Sequence, residues 1–313
     1  MKVHELKVAF ILPALNEELN LRNTLTTIQR LFDTCDHVIV ADNGSHDKTI
    51  EVAHSFGART TVHPGVSIAQ LRNEGAKLTD AEILVFIDSD IQLDGSWPVF
   101  FAKTVESLRQ NPLQLCGSRC RAIHKDNYVC KYWYNRLSHQ QSSNYINSGH
   151  LIVHRQLFEA IGGFDVSLRT AEDYDFCQRG MKHGALLSPN PQLIAWHDGY
   201  PETIRGFMAR EMWHGRDEFK SMKSVISSKV ALVSIATTSA LFGALALSMI
   251  YSSLLPVAIY TVIWCLLLAM LTIQKFGFGK LSSFLNSAGL YFLYLLSRSV
   301  AWQFKARRPK ARS

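Results

Sequence analysis

The chain has 313 residues, 47% of them hydrophobic and 19% charged, which is too apolar for a disordered protein and long enough to bury a sizeable core. Its formal charge of +7 does not point to nucleic acid. The basic residues concentrate at 205–229 and 305–312, on either side of a block, 230–274, that holds no Asp, Glu, Lys or Arg, and this arrangement suits an anionic membrane surface.

The first seven residues are polar and lack the apolar core of a signal peptide, so a cytoplasmic head is expected. Six cysteines, Cys35, Cys116, Cys120, Cys130, Cys177 and Cys265, form no CxxC pair or zinc-site cluster and fit reduced thiols. Short β-branched runs at 8–12, 37–41 and 59–63 alternate with helical patterns at 17–31, 47–56 and 66–78. The run 83–87 is continuously apolar, as a strand buried on both faces would be. This alternation predicts βαβ units and a mostly parallel sheet. Three strands end in polar groups, Asn16 and Glu17, Asp42 to Ser45, and Asp88 to Asp90, and ligands of open α/β sheets bind beyond such ends.

From 113 to 196 the alternation loosens, with strands expected at 115–119, 151–153 and 193–196 and a helix at 171–184. This part reads as an acceptor-side subdomain with a substrate-facing loop at 123–147. Residues 205–223 interleave aromatic and Met side chains with Arg and Lys at helical spacing. Such a segment either rests in the headgroup layer or packs as an ordinary helix on the catalytic domain. The block 230–274 divides near 251–256 into two stretches, each long enough for one crossing. A third helix, 281–304, carries Arg298; two crossings keep every basic cluster on the cytoplasmic side, which favours an interfacial third helix over a spanning one. The expected organisation is a catalytic domain at 1–204, a basic juxtamembrane segment at 205–229, two membrane helices at 230–274, and an interfacial helix with a basic tail at 275–313.

Asp88-Ser89-Asp90 sets two carboxylates on a tight turn, where hard oxygen ligands can hold Mg²⁺ or Mn²⁺ against a diphosphate. An isolated triplet of this kind also arises in ordinary turns. Its neighbours add the specificity: Ile11-Leu12-Pro13-Ala14-Leu15-Asn16-Glu17, Val40-Ala41-Asp42-Asn43-Gly44-Ser45-His46-Asp47, Ala69-Gln70-Leu71-Arg72-Asn73-Glu74-Gly75-Ala76, Phe86-Ile87-Asp88-Ser89-Asp90, and Gly162-Gly163-Phe164-Asp165 followed by Glu172-Asp173-Tyr174-Asp175-Phe176. In this order the five stretches resemble the family 2 glycosyltransferases of GT-A fold, over roughly residues 8–214.

The resemblance implies an α/β, Rossmann-like mixed sheet of GT-A type, followed by C-terminal transmembrane helices. It also implies a nucleotide-sugar site built by Pro13, Glu17, Asp42, Arg72, Asp88, Ser89 and Glu172. Asp42 would bond the base or ribose, or simply close its own turn, and both readings are compatible. Arg72 would reach the nucleotide or diphosphate through its fork of donors. Asp90 would bind the metal, Mn²⁺ or Mg²⁺, with His197 as a further ligand, and Asp173 would be the general base. Arg210 and Arg216 are further phosphate-binding candidates, and His214 a weaker ligand candidate.

The function this implies is inverting transfer from a nucleotide-diphospho-sugar, by family habit UDP-linked, to a hydroxyl of a lipid-linked, membrane-associated saccharide in cell-envelope or exopolysaccharide synthesis. The enzyme would be a multi-pass inner- or plasma-membrane protein with a cytoplasmic catalytic domain. A polyprenyl-phosphate glycosyltransferase is the alternative, although an ionised phosphate acceptor needs no base such as Asp173. A non-catalytic nucleotide-sugar-binding scaffold is the third reading, opposed by the intact set of Asp42, Asp88, Asp90 and Asp173.

Overall fold

The computed structural model describes residues 7–34, 37–124, 126–138, 144–168, 170–219 and 221–303. The N-terminal residues before Lys7, Cys35, Lys220 and the basic tail at 305–312 lie outside the described residues.

In chain order the elements are β1 (Val8–Ala14), α1 (Glu18–Phe32), β2 (Val38–Asp42), α2 (Thr49–Ser55), β3 (Arg59–Val62), α3 (Ile68–Lys77), β4 (Ile83–Ile87), β5 (Ile91–Leu93), α4 (Trp97–Gln110), β6 (Gln114–Gly117) and β7 (Arg121–Ala122). A π-helical turn (Cys130–Tyr134) and α5 (Asn135–Ser138) follow, then β8 (His150–His154), α6 (Arg155–Ala160), α7 (Glu172–Lys182), β9 (Leu186–Pro189) and β10 (Ala195–His197). The chain closes with α8 (Ile204–Gly215), a 3₁₀ turn (Arg216–Phe219), α9 (Met222–Ser227), α10 (Lys229–Ile250), α11 (Leu255–Phe276), α12 (Leu281–Ser299) and a 3₁₀ turn (Ala301–Gln303).

Two units divide the chain: Met1–Ile123 with Ser138–Gly199, and His124–Leu137 with Tyr200–Ser313. The first holds a seven-stranded sheet of order β3-β2-β1-β4-β8-β6-β9 and a small sheet of order β5-β10-β7. Strands β1 to β4 pair in parallel, as their intervening helices require. Strand β8 runs antiparallel to both β4 and β6, so the sheet is mixed. Alternation along β1 sends Phe10 and Leu12 into a core with Leu25, Ile28, Trp97 and Phe101, and Ile11 into another with Phe86, Leu157, Phe164 and Phe176. Trp97 and Phe101 stack at 4.2 Å within helix α4, for which the sequence sets no expectation.

The second unit is helical. Helices α10 and α11, 22 residues each, are long and apolar enough to cross a membrane, and most of their surface is exposed. Each has a sequence-encoded start: the Ser228 hydroxyl accepts from Ala231 N–H at 3.1 Å, and Pro256 occupies the first turn of α11. Arg136 closes the other end of α11, donating to the carbonyls of Phe276 (3.0 Å) and Gly277 (3.1 Å) and to the Ser287 hydroxyl (2.7 Å). Helix α8 turns Phe207, Glu211 and Gly215 inward, and Arg298 of α12 pairs with Glu211 (3.0 Å) and Glu218 (3.1 Å). Arg298 is therefore neutralised within the protein. Arg210 lies over the rings of Tyr134 and Tyr200, Arg216 over Trp213, and His214 edge-on to Trp213. Residues 124–137, expected in the catalytic part, group with this helical unit instead. Their aromatic side chains find partners there: Trp133 packs on Phe207, Phe276, Tyr291 and Tyr294.

Candidate active site

Three parallel strands end side by side, and each polar turn beyond them is held by a different device. After β1, Asn16 adopts a left-handed conformation (φ 55°), donates its N–H to the Ser45 hydroxyl and accepts from His46 N–H, each at 2.8 Å. This latches the turns after β1 and β2 together. Pro13 is buried in β1 opposite Ala41, and the Glu17 carboxylate accepts from Asn20 at 2.7 Å. Asp42 is fully buried. One of its oxygens accepts from the N–H groups of Gly44 and Ser45 (2.8 Å each), and the other from the Ser45 hydroxyl. Asp42 thus closes its own turn. Asn43, next to it, exchanges two bonds of 3.1 Å with the backbone of Val66.

After β4 the turn Asp88-Ser89-Asp90 points two carboxylates in different directions. Asp88 accepts from Arg72 at 2.7 Å, and the other guanidinium nitrogen of Arg72 donates to Glu172 at 2.8 Å. Buried Ser89 is fixed through its carbonyl, which accepts from the Thr24 hydroxyl of α1 at 2.8 Å. Asp90 lies 3.3 Å from His197 Nε2, because β10 pairs antiparallel with β5 and sets His197 opposite Ile91.

The acids of α7 sit in its first turn, where the helix dipole favours negative charge. Glu172 and Asp173 are both buried. Asp173 accepts from Tyr174 N–H and from the Asn147 amide, each at 2.7 Å, yet burial and the neighbouring Glu172 push its pKa up to about 7. The Gly162-Gly163-Phe164 turn upstream is pinned by Asn73, whose amide bonds both the N–H and the carbonyl of Phe164. The N–H of Asp88 donates to the Gly149 carbonyl at 3.3 Å, and a methyl group on Gly149 would stand 2.7 Å from Asp88 Oδ2.

Residues 9–160 match the model of glycosyl transferase family 2. They are a family 2 glycosyltransferase domain. A pre-mycofactocin glycosyltransferase of Mycobacterium tuberculosis (strain CDC 1551 / Oshkosh) is 26% identical over 227 residues, covering 66% of this chain and 46% of that protein, so the chain spans about half the length of this relative. Glycosyltransferase AglE of Haloferax volcanii is 23% identical over 62% of this chain and 67% of its own length. In fold, the chain is similar to the mannosyltransferase PcManGT from Pyrobaculum calidifontis, solved in complex with GDP-Man and Mn²⁺. That likeness has a TM-score of 0.61 and 18% identity, covering 95% of this chain and 87% of that one.

One residue of the family 2 domain sits differently from the expectation. Arg72, expected to reach the nucleotide, is 1% exposed, because α3 turns it inward and the two carboxylates occupy both ends of its fork. Asp42 closes its own turn, one of the two compatible roles expected of it. Of the other predicted residues, Pro13 lies in β1, Glu17, Asp88, Ser89 and Asp90 in the turns beyond β1 and β4, Glu172 and Asp173 in the first turn of α7, and His197 at the end of β10.

Asp90 and His197 form a donor set for a divalent cation. A Cβ on Gly199 would lie 2.3 Å from Asp90 Oδ2 and 3.0 Å from His197 Cε1, so the absent side chain leaves a cradle over this oxygen and nitrogen pair. Among the described residues no third His, Cys, Asp or Glu joins them. A carboxylate, an imidazole and open positions suit Mn²⁺ or Mg²⁺, which keep water and phosphate oxygens as their other ligands. The residues fit the ion.

Thr24, Asn73, Asn147, Gly149 and Gly199 support these groups and were not singled out in the sequence. His150 was missed as well. Its buried Nε2 accepts from Trp97 Nε1–H at 3.0 Å, while the Ser118 hydroxyl spends its proton on the Leu193 carbonyl (2.6 Å) and must accept from His150 Nδ1–H (2.9 Å). Burial lowers the His150 pKa to about 4, so this neutral tautomer persists next to the Gly149 turn.

Proposed function

We propose that the chain is an inverting, metal-dependent glycosyltransferase that moves a sugar from a nucleotide-diphospho-sugar to a hydroxyl of a lipid-linked, membrane-associated saccharide in cell-envelope or exopolysaccharide assembly. The observation that carries this reading is the ion-pair chain Asp88–Arg72–Glu172, with Arg72 and Glu172 buried and Asp88 half-buried, which ties the turn beyond β4 to the acid pair at the start of α7. A donor-holding turn and an acceptor-activating acid are thereby fixed in one array. Asp173 takes the proton of the acceptor hydroxyl, the freed oxygen attacks the anomeric carbon, and the bond from that carbon to the diphosphate oxygen breaks on the opposite face. A single in-line displacement of this kind inverts the anomeric centre. Asp90 and His197 would hold Mn²⁺ or Mg²⁺, whose charge offsets the charge that develops on the leaving nucleotide diphosphate.

Pro13, Glu17, Asp88 and Ser89 border the donor in this reading; Asp42 shapes its turn, and Arg72 and Glu172 hold Asp88 and Asp173 in register. A base with a pKa near neutrality supports a hydroxyl acceptor over a lipid phosphate, which is already ionised. Helices α10 and α11 cross the membrane, with the catalytic unit and the flanking lysines, among them Lys229, Lys275 and Lys280, on the cytoplasmic side.

The test is binding of UDP- and GDP-linked sugars to the detergent-purified full chain, with and without Mn²⁺, in parallel with Asp90→Asn. Metal-dependent binding of one donor, lost in the variant, supports the proposal. Binding that ignores both metal and variant refutes the metal assignment, and no binding to any donor by folded protein refutes the transferase reading.

A further inference from the structure

Asn147 stands between the two halves of the site. Its carbonyl oxygen accepts from Gly149 N–H at 2.8 Å and its amide nitrogen donates to Asp173 Oδ2 at 2.7 Å. The amide has only one workable orientation, because the flipped form would set its NH₂ against Gly149 N–H and its oxygen against a carboxylate. The backbone around it is equally fixed: His150 N–H donates to the Asn147 carbonyl at 3.0 Å, and the Gly149 carbonyl accepts from Asp88 N–H. We propose that Asn147 is the positioning residue of Asp173, its amide holding that carboxylate ionised and in one orientation, in register with the Asp88 turn. This rests on the assignment of Asp173 as the base.

The other groups facing Asp173 sharpen the role. Glu172 repels its charge, Arg72 attracts it but is shared between Glu172 and Asp88, and Tyr145 and Cys177 carry neutral groups that burial drives to pKa values of about 12. The N–H groups of Tyr174 and Ser148 also bond the carboxylate, but both belong to the backbone. Among the described residues, Asn147 supplies the neutral side-chain donor bonded to Asp173. Every other member of this shell is charged, buried and neutral, or main chain.

The experiment follows the titration of the Asp173 carboxyl by infrared difference spectroscopy on the full chain in detergent, with Asp173→Asn identifying its band. Asn147→Ala should raise the titration midpoint by about one to two pH units, the worth of one hydrogen bond to a charged group. Asn147→Asp, nearly isosteric, should raise it further, because two adjoining carboxylates then share a proton. Mn²⁺-dependent binding of UDP and GDP, measured by calorimetry, should be unchanged in both variants. A purely structural role would move the unfolding temperature and leave the midpoint of one carboxyl where it was. A midpoint that stays put in either folded variant overturns the proposal. A midpoint that moves while Asp173→Asn still transfers sugar at the wild-type rate overturns it by a different route, since the base assignment then falls.

Discussion

Replacing Asp173 by Asn should slow transfer by at least about a hundred-fold and at the same time stabilise the catalytic unit at neutral and alkaline pH. The carboxyl is displaced from 3.8 to about 7 by burial and by Glu172. Below about pH 4 it is protonated in both the folded and the unfolded chain, and its contribution to stability is fully present. As the pH rises, the unfolded chain ionises first and the folded state loses stability at about 1.4 kcal/mol per unit, until the folded group ionises near 7. Three units of displacement amount to about 4 kcal/mol, or on the order of 10 °C in unfolding temperature for a unit of this size. Asn cannot ionise, so the difference in unfolding temperature between Asp173→Asn and wild type should grow from pH 4 to 7 and level off above. Its amide disturbs one hydrogen bond, but that cost does not vary with pH. Thermal unfolding in detergent across this range measures the difference, and kcat/KM of the wild type should fall below pH 7 while the variant loses about 10² to 10⁴-fold. A difference in unfolding temperature that stays constant with pH would show that Asp173 titrates normally and refute the reasoning.

Gly199→Ala should weaken Mn²⁺-dependent nucleotide binding by about ten- to a hundred-fold, because its methyl group would drive Asp90 Oδ2 out of place; calorimetry with UDP and GDP reads this. Arg72→Met should cost about 3–5 kcal/mol in denaturant unfolding, since it leaves Asp88 and Glu172 without their shared cation. Arg72→Lys should recover little of that, as a single ammonium cannot bridge two carboxylates the way a planar fork does.

Strand β4 was legible residue for residue, because five apolar positions between polar turns admit few other readings. The acids at strand ends were legible as a group for the same reason. Their surroundings were not. Gly149 comes to Asp88 only because β8 pairs antiparallel with β4, and Gly199 comes to Asp90 only because β10 pairs with β5; both registers join residues some sixty to a hundred positions apart. The inward turn of Arg72 depends on which face of α3 meets the sheet, whereas the closure of Asp42 on Gly44 and Ser45 is local and is one of the two readings its sequence allows. Residues 124–137 differ for another reason: the Tyr, Asn, Ser and His content of 123–147 reads as a loop facing substrate, whereas Trp133 and Arg136 are spoken for by α11 and α12.

That excursion of the chain limits how the protein can be dissected. A truncation that keeps 1–204 and discards the rest looks, on the sequence, like a clean way to a soluble enzyme. It would strand Trp133 without Phe207, Phe276, Tyr291 and Tyr294, and would leave Arg136 without the carbonyls it caps. The shortened chain would carry a bare aromatic surface of its own and clump, so a soluble catalytic fragment calls for polar replacements within 128–137 as well as the cut.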